Sequence, residues 1–216
     1  MSPVLAAGGL RVRAGEAMLI DIGHLALERG RGYLVSGENG AGKTTLLRAL
    51  AGLEPVEAER FAFYGKPTRL LPYPGAMRRQ IAFVHHHPYV FDGSVGDNLA
   101  YGLRAAGVNQ KEIAEKVSDA AAWAGIGHLE KRNAKSLSAG ERQRLALARA
   151  HVLGPDLYLL DEPTANLDAD GRRLVMSLIE AIAREGRTLL IACHDRELLA
   201  LPGVERLHLV KGRLEG

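Results

Sequence analysis

A glycine-rich loop between an apolar run and a helical stretch decides the fold, and it reads Gly37-Glu38-Asn39-Gly40-Ala41-Gly42-Lys43-Thr44-Thr45. The preceding residues 33–36 predict a buried strand, and residues 44–53 predict a helix. Glycines let the backbone N–H groups turn inward around phosphates, and the start of a helix adds a favourable dipole. Lys43 would place a positive charge at the terminal phosphates, and the Thr44 hydroxyl is a ligand for Mg²⁺. An ordinary glycine turn is the alternative, but the order strand, loop, helix favours nucleotide binding.

Short apolar runs alternate with helical stretches along the rest of the chain, which predicts an α/β fold with a largely parallel sheet. The segment 110–124 is an amphipathic helix with Ile113, Val117, Ala120 and Ala124 on one face. From 92 to 150 the sequence indicates helix without strands, so this part is expected to form a lobe within a single domain, 1–216. The remaining predicted strands are 61–64, 81–84, 157–160, 188–192, 206–210 and 213–215, and the remaining predicted helices are 141–153 and 172–185.

Composition fits a globular protein of 216 residues, with 47 % apolar and 25 % charged residues. No stretch approaches the roughly 18 apolar residues that cross a bilayer, and the first residues lack the pattern of a signal peptide. The one cysteine, Cys193, excludes an internal disulfide. The net charge of +3 indicates no particular partner. We therefore expect a cytosolic protein unless something else holds it at a membrane.

A pair of acids follows the apolar run 157–160. In an open α/β sheet, ligands bind outside the carboxyl ends of the strands. Asp161 would then face Mg²⁺ from the side opposite Thr44, and Glu162 would accept a proton from an attacking water molecule. By itself the pair could be a solvated turn, but the glycine loop in the same chain favours the catalytic interpretation.

Residues 137–144 read Leu-Ser-Ala-Gly-Glu-Arg-Gln-Arg. Alone, Ser138 and Glu141 would be a capping box that opens a helix. At this distance before Asp161, the segment resembles the signature motif of ABC ATPases. The resemblance covers essentially the whole chain, because it also includes the segments Pro163-Thr164-Ala165-Asn166-Leu167-Asp168 and Ile191-Ala192-Cys193-His194-Asp195.

The resemblance implies a P-loop NTPase of ABC type, with a RecA-like, mostly parallel sheet core, an antiparallel β subdomain and a helical subdomain at about 92–150. It implies ATP and Mg²⁺ as cofactors and a head-to-tail homodimer. In that dimer the phosphate loop of one copy and the signature of the other, with Ser138 and Gly140, enclose ATP. Asp168 is carried over as a further nucleotide-binding residue. His194 would contact the γ-phosphate and steady the water that Glu162 activates.

Two positions depart from the family pattern. Ala14 stands where the family has an aromatic that stacks on adenine, and the neighbouring Arg13 is the candidate to replace it. His86 stands where the family has a glutamine that contacts Mg²⁺ and water, and an imidazole can form similar hydrogen bonds. A metal site made of His85, His86 and His87 is the alternative, but side chains that alternate along an extended strand argue against it.

Three functions are compatible with such an ATPase: driving a membrane importer, acting on nucleic acid or ribosomes, or binding nucleotide without hydrolysis. Only about fifty residues separate His86 from Leu137, too few for the coiled coil of DNA-repair relatives, and ribosomal relatives carry two such domains. Lys43, Glu162 and His194 are all present, which argues against an inactive site. The resemblance thus implies a transmembrane permease, an extracytoplasmic solute-binding protein reached through it, and no nucleic acid.

The segment 88–103 resembles that of oxyanion importers of the tungstate and molybdate type. Together with the absence of a further regulatory domain, it favours tungstate or a related oxyanion as the solute. The chain itself is expected at the cytoplasmic face of the cell membrane. The apolar side chains of residues 88–103 are also expected to dock on the permease. At least part of Tyr89, Val90 and Phe91 should be exposed, whereas Leu99 and Leu103 could equally pack the core of the helical lobe.

Overall fold

The structure, a computed structural model, describes residues 2–193, 198 and 203–215. It has two compact units: a sheet unit of Met1–Phe83, Pro155–Glu162 and Ile182–Gly216, and a helical unit of Val84–Gly154 and Pro163–Ala181. The described residues form ten strands and six α-helices. In chain order these are β1 (Leu5–Ala14), β2 (Ala17–Leu27), β3 (Gly32–Ser36), α1 (Lys43–Leu50), β4 (Arg60–Phe63), β5 (Lys66–Pro67), α2 (Gly75–Gln80), β6 (Ile81–Val84), α3 (Val95–Ala105), α4 (Gln110–Trp123), α5 (Ala139–His151), β7 (Leu157–Asp161), α6 (Ala169–Arg184), β8 (Thr188–Ala192), β9 (Val204–Val210) and β10 (Arg213–Glu215).

The larger sheet has the strand order β10-β9-β3-β8-β7-β6. Strand β3 pairs in parallel with both β8 and β9, and β7 pairs in parallel with β8, whereas β10 returns antiparallel to β9. Strands β7 and β8 are buried along their whole length, which explains their continuous apolar runs. The predicted α/β fold with a parallel core is confirmed, and the carboxyl ends of β3 and β7 lead into the candidate site.

The second sheet is antiparallel, with the order β2-β1-β4-β5. Its two longest strands, β1 and β2, were not predicted as individual elements. Strand β1 was missed because its burial pattern changes along the strand. Leu5 and Ala7 are buried before Gly9, and Leu10 and Val12 are buried after it. The buried positions change from odd to even numbers across Gly9, whose φ is +62°, so the regular alternation that identifies a strand is interrupted.

One apolar core joins the two sheets of the sheet unit. It contains Leu5 and Leu10 of β1, Leu46 and Leu50 of α1, and Leu190 of β8, all buried. Helix α1 therefore packs its apolar face into this core while its first residue lies at the end of the glycine loop. It ends at Leu50, three residues earlier than predicted.

The helical unit contains α3, α4, α5 and the greater part of α6. The amphipathic helix α4 has the predicted bounds to within one residue, and its four predicted core positions are buried. The side chain of Ser94 accepts a hydrogen bond from Asp97 N at 3.0 Å, and Asp97 Oδ2 accepts one from Ser94 N at 3.1 Å. This reciprocal cap explains why α3 begins at Val95. No described helix is long and apolar enough to cross a bilayer.

Candidate functional site

The glycine loop joins β3 to α1 in the sheet unit, and two of its glycines are required by close packing. A Cβ on Gly37 would lie 2.2 Å from the carbonyl oxygen of Leu209. Gly42 precedes α1 with φ +105°, and a Cβ there would lie 2.7 Å from Ile20 Cδ1. Both positions therefore exclude larger residues, and the loop is held close to β2 and β9.

Lys43 is the first residue of α1 and is 8 % exposed. Its Nζ atom donates hydrogen bonds to the carbonyl oxygens of Gly37 at 2.8 Å and Glu38 at 3.1 Å. The ammonium group thus lies across the mouth of the loop, where a positive charge and the helix start together favour an anion.

The hydroxyl of Thr44 donates a hydrogen bond to Asp161 Oδ1 at 2.9 Å. Asp161 ends β7 and is completely buried, and Thr44 is the second residue of α1. The structure therefore brings together the two residues that the sequence analysis assigned to Mg²⁺. Hydroxyl and carboxylate oxygens are the ligands that this hard cation prefers, so the pair fits such a site.

Glu162 follows Asp161 directly and has φ +45°, a conformation that residues with a side chain rarely adopt. Its N–H donates a 2.8 Å hydrogen bond to the carbonyl oxygen of Ala192, at the end of the neighbouring strand β8. The sheet therefore fixes the turn that follows β7. The Glu162 side chain starts from this turn, at the carboxyl end of the strand.

The hairpin between β9 and β10 supports the glycine loop, a contact that the sequence analysis did not anticipate. Gly212 donates to the carbonyl oxygen of Ala41 at 2.9 Å and accepts from Asp21 N at 2.8 Å. Its φ is +81°, and a Cβ on it would lie 2.3 Å from the carbonyl oxygen of Leu19. The predicted strands 206–210 and 213–215 leave room for a short turn at Lys211 and Gly212, but nothing local indicated what this turn would contact.

Arg13 and Ala14, the candidates for the nucleobase end, lie at the exposed end of β1. Ala14 pairs with Ala17 and Arg13 with Met18 across the β1–β2 hairpin. The register shifts between Val12 and Arg13, so that β2 contains one extra residue there. Because Ala14 is exposed, a larger side chain fits at this position.

In the helical unit, Ser138 and Glu141 form the capping box that the sequence permitted. Ser138 N donates to Glu141 Oε2 at 2.7 Å, and Glu141 N donates to Ser138 Oγ at 3.3 Å. The backbone N–H of Ser138 lowers the pKa of Glu141. This cap makes α5 begin at Ala139, before the predicted 141, and leaves Ser138 exposed at the start of the helix.

Gly140 lies in the first turn of α5, where a Cβ would lie 3.4 Å from the Cα atom of Gly171. Asp168 Oδ1 accepts a 2.8 Å hydrogen bond from Gly171 N, three residues on. Asp168 therefore stabilises the start of α6, which begins at Ala169 instead of the predicted 172. Its assignment to nucleotide binding stays a prediction.

The argument against a histidine cluster was wrong in its premise. Strand β6 ends at Val84, so His85, His86 and His87 do not alternate along a strand. His87 N donates to His85 Nδ1 at 3.0 Å, and the ring centroid of His86 lies 4.0 Å from that of His85 and 4.4 Å from that of His87. The three imidazoles are therefore adjacent. His86 is half-buried, whereas His194 lies outside the described residues.

Three aromatic side chains of the helical unit form what we call the aromatic patch: Tyr89, Phe91 and Tyr101. Tyr89 is 71 % exposed and Tyr101 is 56 % exposed. Phe91 contacts Tyr89 edge-on at 5.4 Å and stacks on Tyr101 at 4.4 Å, and the Arg149 guanidinium lies 4.8 Å from its ring. The expectation that part of 89–91 is exposed is confirmed, and Leu99 and Leu103 are core residues of the unit.

The order of β3, glycine loop and α1, with Asp161 at the end of another strand of the same sheet, is that of a phosphate-loop nucleoside triphosphatase. Comparisons with known proteins define the class further. The sequence model of a family described as "ABC transporter" matches residues 21–165. The chain belongs to this family, whose ATP-binding subunits are ATPases. The resemblance stated from the motifs is thereby confirmed.

Two relatives and one solved structure illustrate the similarity. The molybdate/tungstate import ATP-binding protein WtpC of Thermococcus kodakarensis is 37 % identical over 191 residues, which cover 88 % of this chain and 57 % of that protein. The Fe(3+) ions import ATP-binding protein FbpC of Pasteurella multocida is 35 % identical over 202 residues, covering 93 % and 57 %. Thus the chain spans just over half the length of these relatives. The structure of cbiO1 from Clostridium perfringens, part of the ABC transporter complex cbiONQ, has a TM-score of 0.86 and 28 % identity, covering 100 % of this chain and 88 % of that one.

Proposed function

We propose that this chain is the ATP-hydrolysing subunit of an ABC importer and acts at the cytoplasmic face of a cell membrane. The observation that carries the proposal is the arrangement of Lys43, Thr44 and Asp161 at the glycine loop, in a chain whose relatives include named import proteins. The solute we propose is tungstate or a related oxyanion, as residues 88–103 suggested. Fe(3+) is the second candidate, because a relative of similar identity is named for it.

In this proposal the loop binds the phosphates of ATP with its backbone N–H groups, and Lys43 neutralises charge on the terminal phosphates. Thr44 and Asp161 would hold Mg²⁺, which would supply neutralisation of phosphate charge. Glu162 accepts the proton of the attacking water, with His86 and His194 as further polar groups at the reacting end. Each of these roles requires only groups that the sequence places at strand or helix ends.

A second copy of the chain is the partner we propose for Ser138 and Gly140. The capped start of α5 exposes Ser138 and positions backbone N–H groups that favour an anion. In a head-to-tail homodimer this helix start would approach the ATP bound by the other copy. Asp168 accepts a hydrogen bond from Gly171, and Gly171 packs against Gly140. Asp168 would then act by holding the backbone of this region in place.

The transmembrane partner we propose is a permease that docks on the aromatic patch. A solute-binding protein would interact with this chain only indirectly, through the permease. Exposed aromatic rings that contact one another are typical of protein interfaces. A permease segment seated there would cover Tyr89 and Tyr101.

The test is reconstitution of the chain with its permease in liposomes, together with the solute-binding protein. We expect ATP hydrolysis to rise when tungstate or molybdate is bound outside, and uptake to require ATP inside. Fe(3+) serves as the second solute. Stimulation of hydrolysis by RNA or DNA, without any effect of permease or solute, would favour the nucleic-acid function instead and contradict the proposal.

A further inference from the structure

The sheet unit contains an open cavity of about 690 Å³ on its antiparallel sheet, and the proposed function does not use it. Its volume lies in the range of roughly 300–1,000 Å³ that small-molecule sites occupy. No described residue of the glycine loop, of the start of α5 or of the aromatic patch contributes to its lining. The lining includes Ala6 and Gly8 of β1, His24 of β2, Arg60 and Ala62 of β4, and Arg69 beyond β5.

The floor of the cavity is formed by neighbouring strands whose side chains are very small. Ala6 of β1 pairs with Ala62 of β4. Leu5, the residue before Ala6, is buried in the core. Since successive side chains of a strand point to opposite faces, the two alanines lie on the face of the sheet that is turned away from the core. A flat apolar group can therefore lie close to the sheet at this floor.

Gly8 is the next residue of β1 on the same face, and its own backbone does not require a glycine. Unlike Gly9, whose φ is +62°, it has no positive φ. Glycine weakens a strand, and a glycine inside one often marks a place where a ligand approaches the backbone. A Cβ on Gly8 would lie 3.5 Å from Arg60 Nε and 3.7 Å from Arg60 Nη2. The guanidinium therefore borders the space above Gly8, and His24 is the partner of Gly8 on the other neighbouring strand.

The charged groups of the lining are positive on balance. Arg60 and Arg69 are exposed, and neither has a hydrogen-bond or ion-pair partner in the part of the chain that the structure describes. Glu59 is the one acid among the described lining residues, and it is already paired with Arg11 at 2.9 Å. A ligand that complements this lining therefore carries negative charge.

We propose that this cavity binds a small planar anion, an aromatic ring that carries a carboxylate or a phosphate group. The ring would lie flat on Ala6 and Ala62, and the anionic group would lie above Gly8, next to the Arg60 guanidinium. A guanidinium donates paired hydrogen bonds to carboxylate and phosphate oxygens. Arg69 would add a second positive charge. Binding here requires neither ATP nor a permease, so its failure and that of the proposed function are distinguishable.

The test is an NMR titration of the isotope-labelled full chain with naphthoate, in the absence of nucleotide. Naphthamide has the same ring without the charge, and decahydronaphthoate has the same charge without the planar ring. We expect naphthoate to shift the amide signals of residues 6–8, 24 and 60–62 until they saturate. We expect it to bind at least about 10-fold more tightly than either comparison compound. Naphthyl phosphate, titrated in the same way, shows whether the cavity prefers a phosphate or a carboxylate.

Two variants test the residues that would make the site. Arg60→Gln should weaken naphthoate binding by about 10-fold or more. Gly8→Val should abolish it, because the larger side chain fills the floor, and should melt no lower than the parent, because valine favours a strand. Arg206→Gln removes an exposed arginine of β9, and Gly23→Val changes a glycine of β2 outside the lining, so both controls should bind as the parent does.

The inference is overturned if naphthoate does not saturate these signals, or if naphthamide and decahydronaphthoate bind as tightly as naphthoate. It is also overturned if folded Arg60→Gln binds naphthoate as the parent does. Arg60 is exposed, so this variant decides the matter even if Gly8→Val does not fold.

Discussion

At the scale of single residues, Glu162 combines a carboxylate at a strand end with a left-handed backbone conformation. Such a conformation costs on the order of 1–3 kcal/mol for a residue with a side chain and is found mainly where function requires it. Glycine or asparagine would adopt it more easily. The presence of glutamate at this strained position supports the assignment of the general base.

Replacing Glu162 by glutamine keeps the size of the side chain but removes its ability to take a proton. We expect Glu162→Gln to bind ATP normally, to accumulate as an ATP-bound dimer, and to hydrolyse ATP about 10²- to 10⁴-fold more slowly. Steady-state hydrolysis and gel filtration with ATP are the measurements. Glu115→Gln, an exposed change on α4, is the control. Near-normal turnover by Glu162→Gln would remove the carboxylate from the mechanism.

The nucleobase end allows a gain-of-affinity experiment. Because Ala14 is exposed at the end of β1, a tyrosine at this position has room to stack on a base. We expect Ala14→Tyr to tighten ATP binding by about 1–3 kcal/mol, whereas Glu16→Tyr in the adjoining turn should not. We also expect the parent protein to hydrolyse GTP and ATP at similar rates. A strong preference of the parent for ATP would show that another group, with Arg13 the first candidate, recognises the base.

At the scale of elements, substitutions of two glycines test whether the hairpin of β9 and β10 supports the glycine loop. Gly212 and Gly203 both have left-handed backbones, with φ of +81° and +74°, but only a Cβ on Gly212 would meet another atom within 4 Å. The left-handed backbone alone should cost alanine about 1–2 kcal/mol of stability at either position, and the clash with Leu19 adds to that cost at Gly212. We expect Gly212→Ala also to weaken ATP binding by about 10- to 100-fold, because the shift would displace the glycine loop. Equal affinities of the two variants would show that the hairpin does not support the loop.

The cap of α3 can be tested through stability and pH. Ser94 is the principal cause of the lowered pKa of Asp97. A carboxylate with a lowered pKa in the folded state stabilises the fold above its unfolded pKa, near 3.8, and this stabilisation is lost as the pH falls through the folded pKa. We expect Ser94→Ala to lower the free energy of unfolding by about 1 kcal/mol at pH 7 and to weaken its decline in acid. Ser118→Ala, exposed within α4, should change neither; a similar effect of both would contradict the cap.

The sequence predicted those elements whose signals are local. Strands β7 and β8 are unbroken apolar runs, and the glycine loop is identified by its own glycines, lysine and threonine. Both features were therefore predicted without knowledge of the rest of the chain. Strand β1 was missed because Gly9 interrupts its alternation. The adjacency of His85 and His86 was missed because the histidines were treated as part of an extended strand, although the predicted end of β6 at residue 84 was correct. The contact of Gly212 with Ala41 joins residues far apart in sequence, which no local pattern records.

At the scale of the whole molecule, the aromatic patch provides the test of coupling. Tyr89 is mostly exposed, so Tyr89→Ala should leave folding and ATP binding of the isolated chain unchanged. We expect the variant to bind the permease at least about 10-fold more weakly and to hydrolyse ATP without transport, as truncation of an exposed interface tyrosine does. Copurification and uptake in liposomes are the measurements. Leu71→Ala, at an exposed apolar residue of the sheet unit, is the control. Unchanged permease binding by Tyr89→Ala would place the docking surface elsewhere.

The contact between Gly212 and Ala41 also bears on how the protein is made. A ribosome translates the glycine loop well before the β9–β10 hairpin that hydrogen-bonds to it. Strand β3 also pairs with strands that are translated after it, β8 and β9. A nascent chain that lacks these strands has the loop sequence without its support. Pairing of such distant segments is slow to form, because a long stretch of chain must first be brought together. Nascent chains should therefore become able to retain ATP only after the β9–β10 hairpin has left the ribosome.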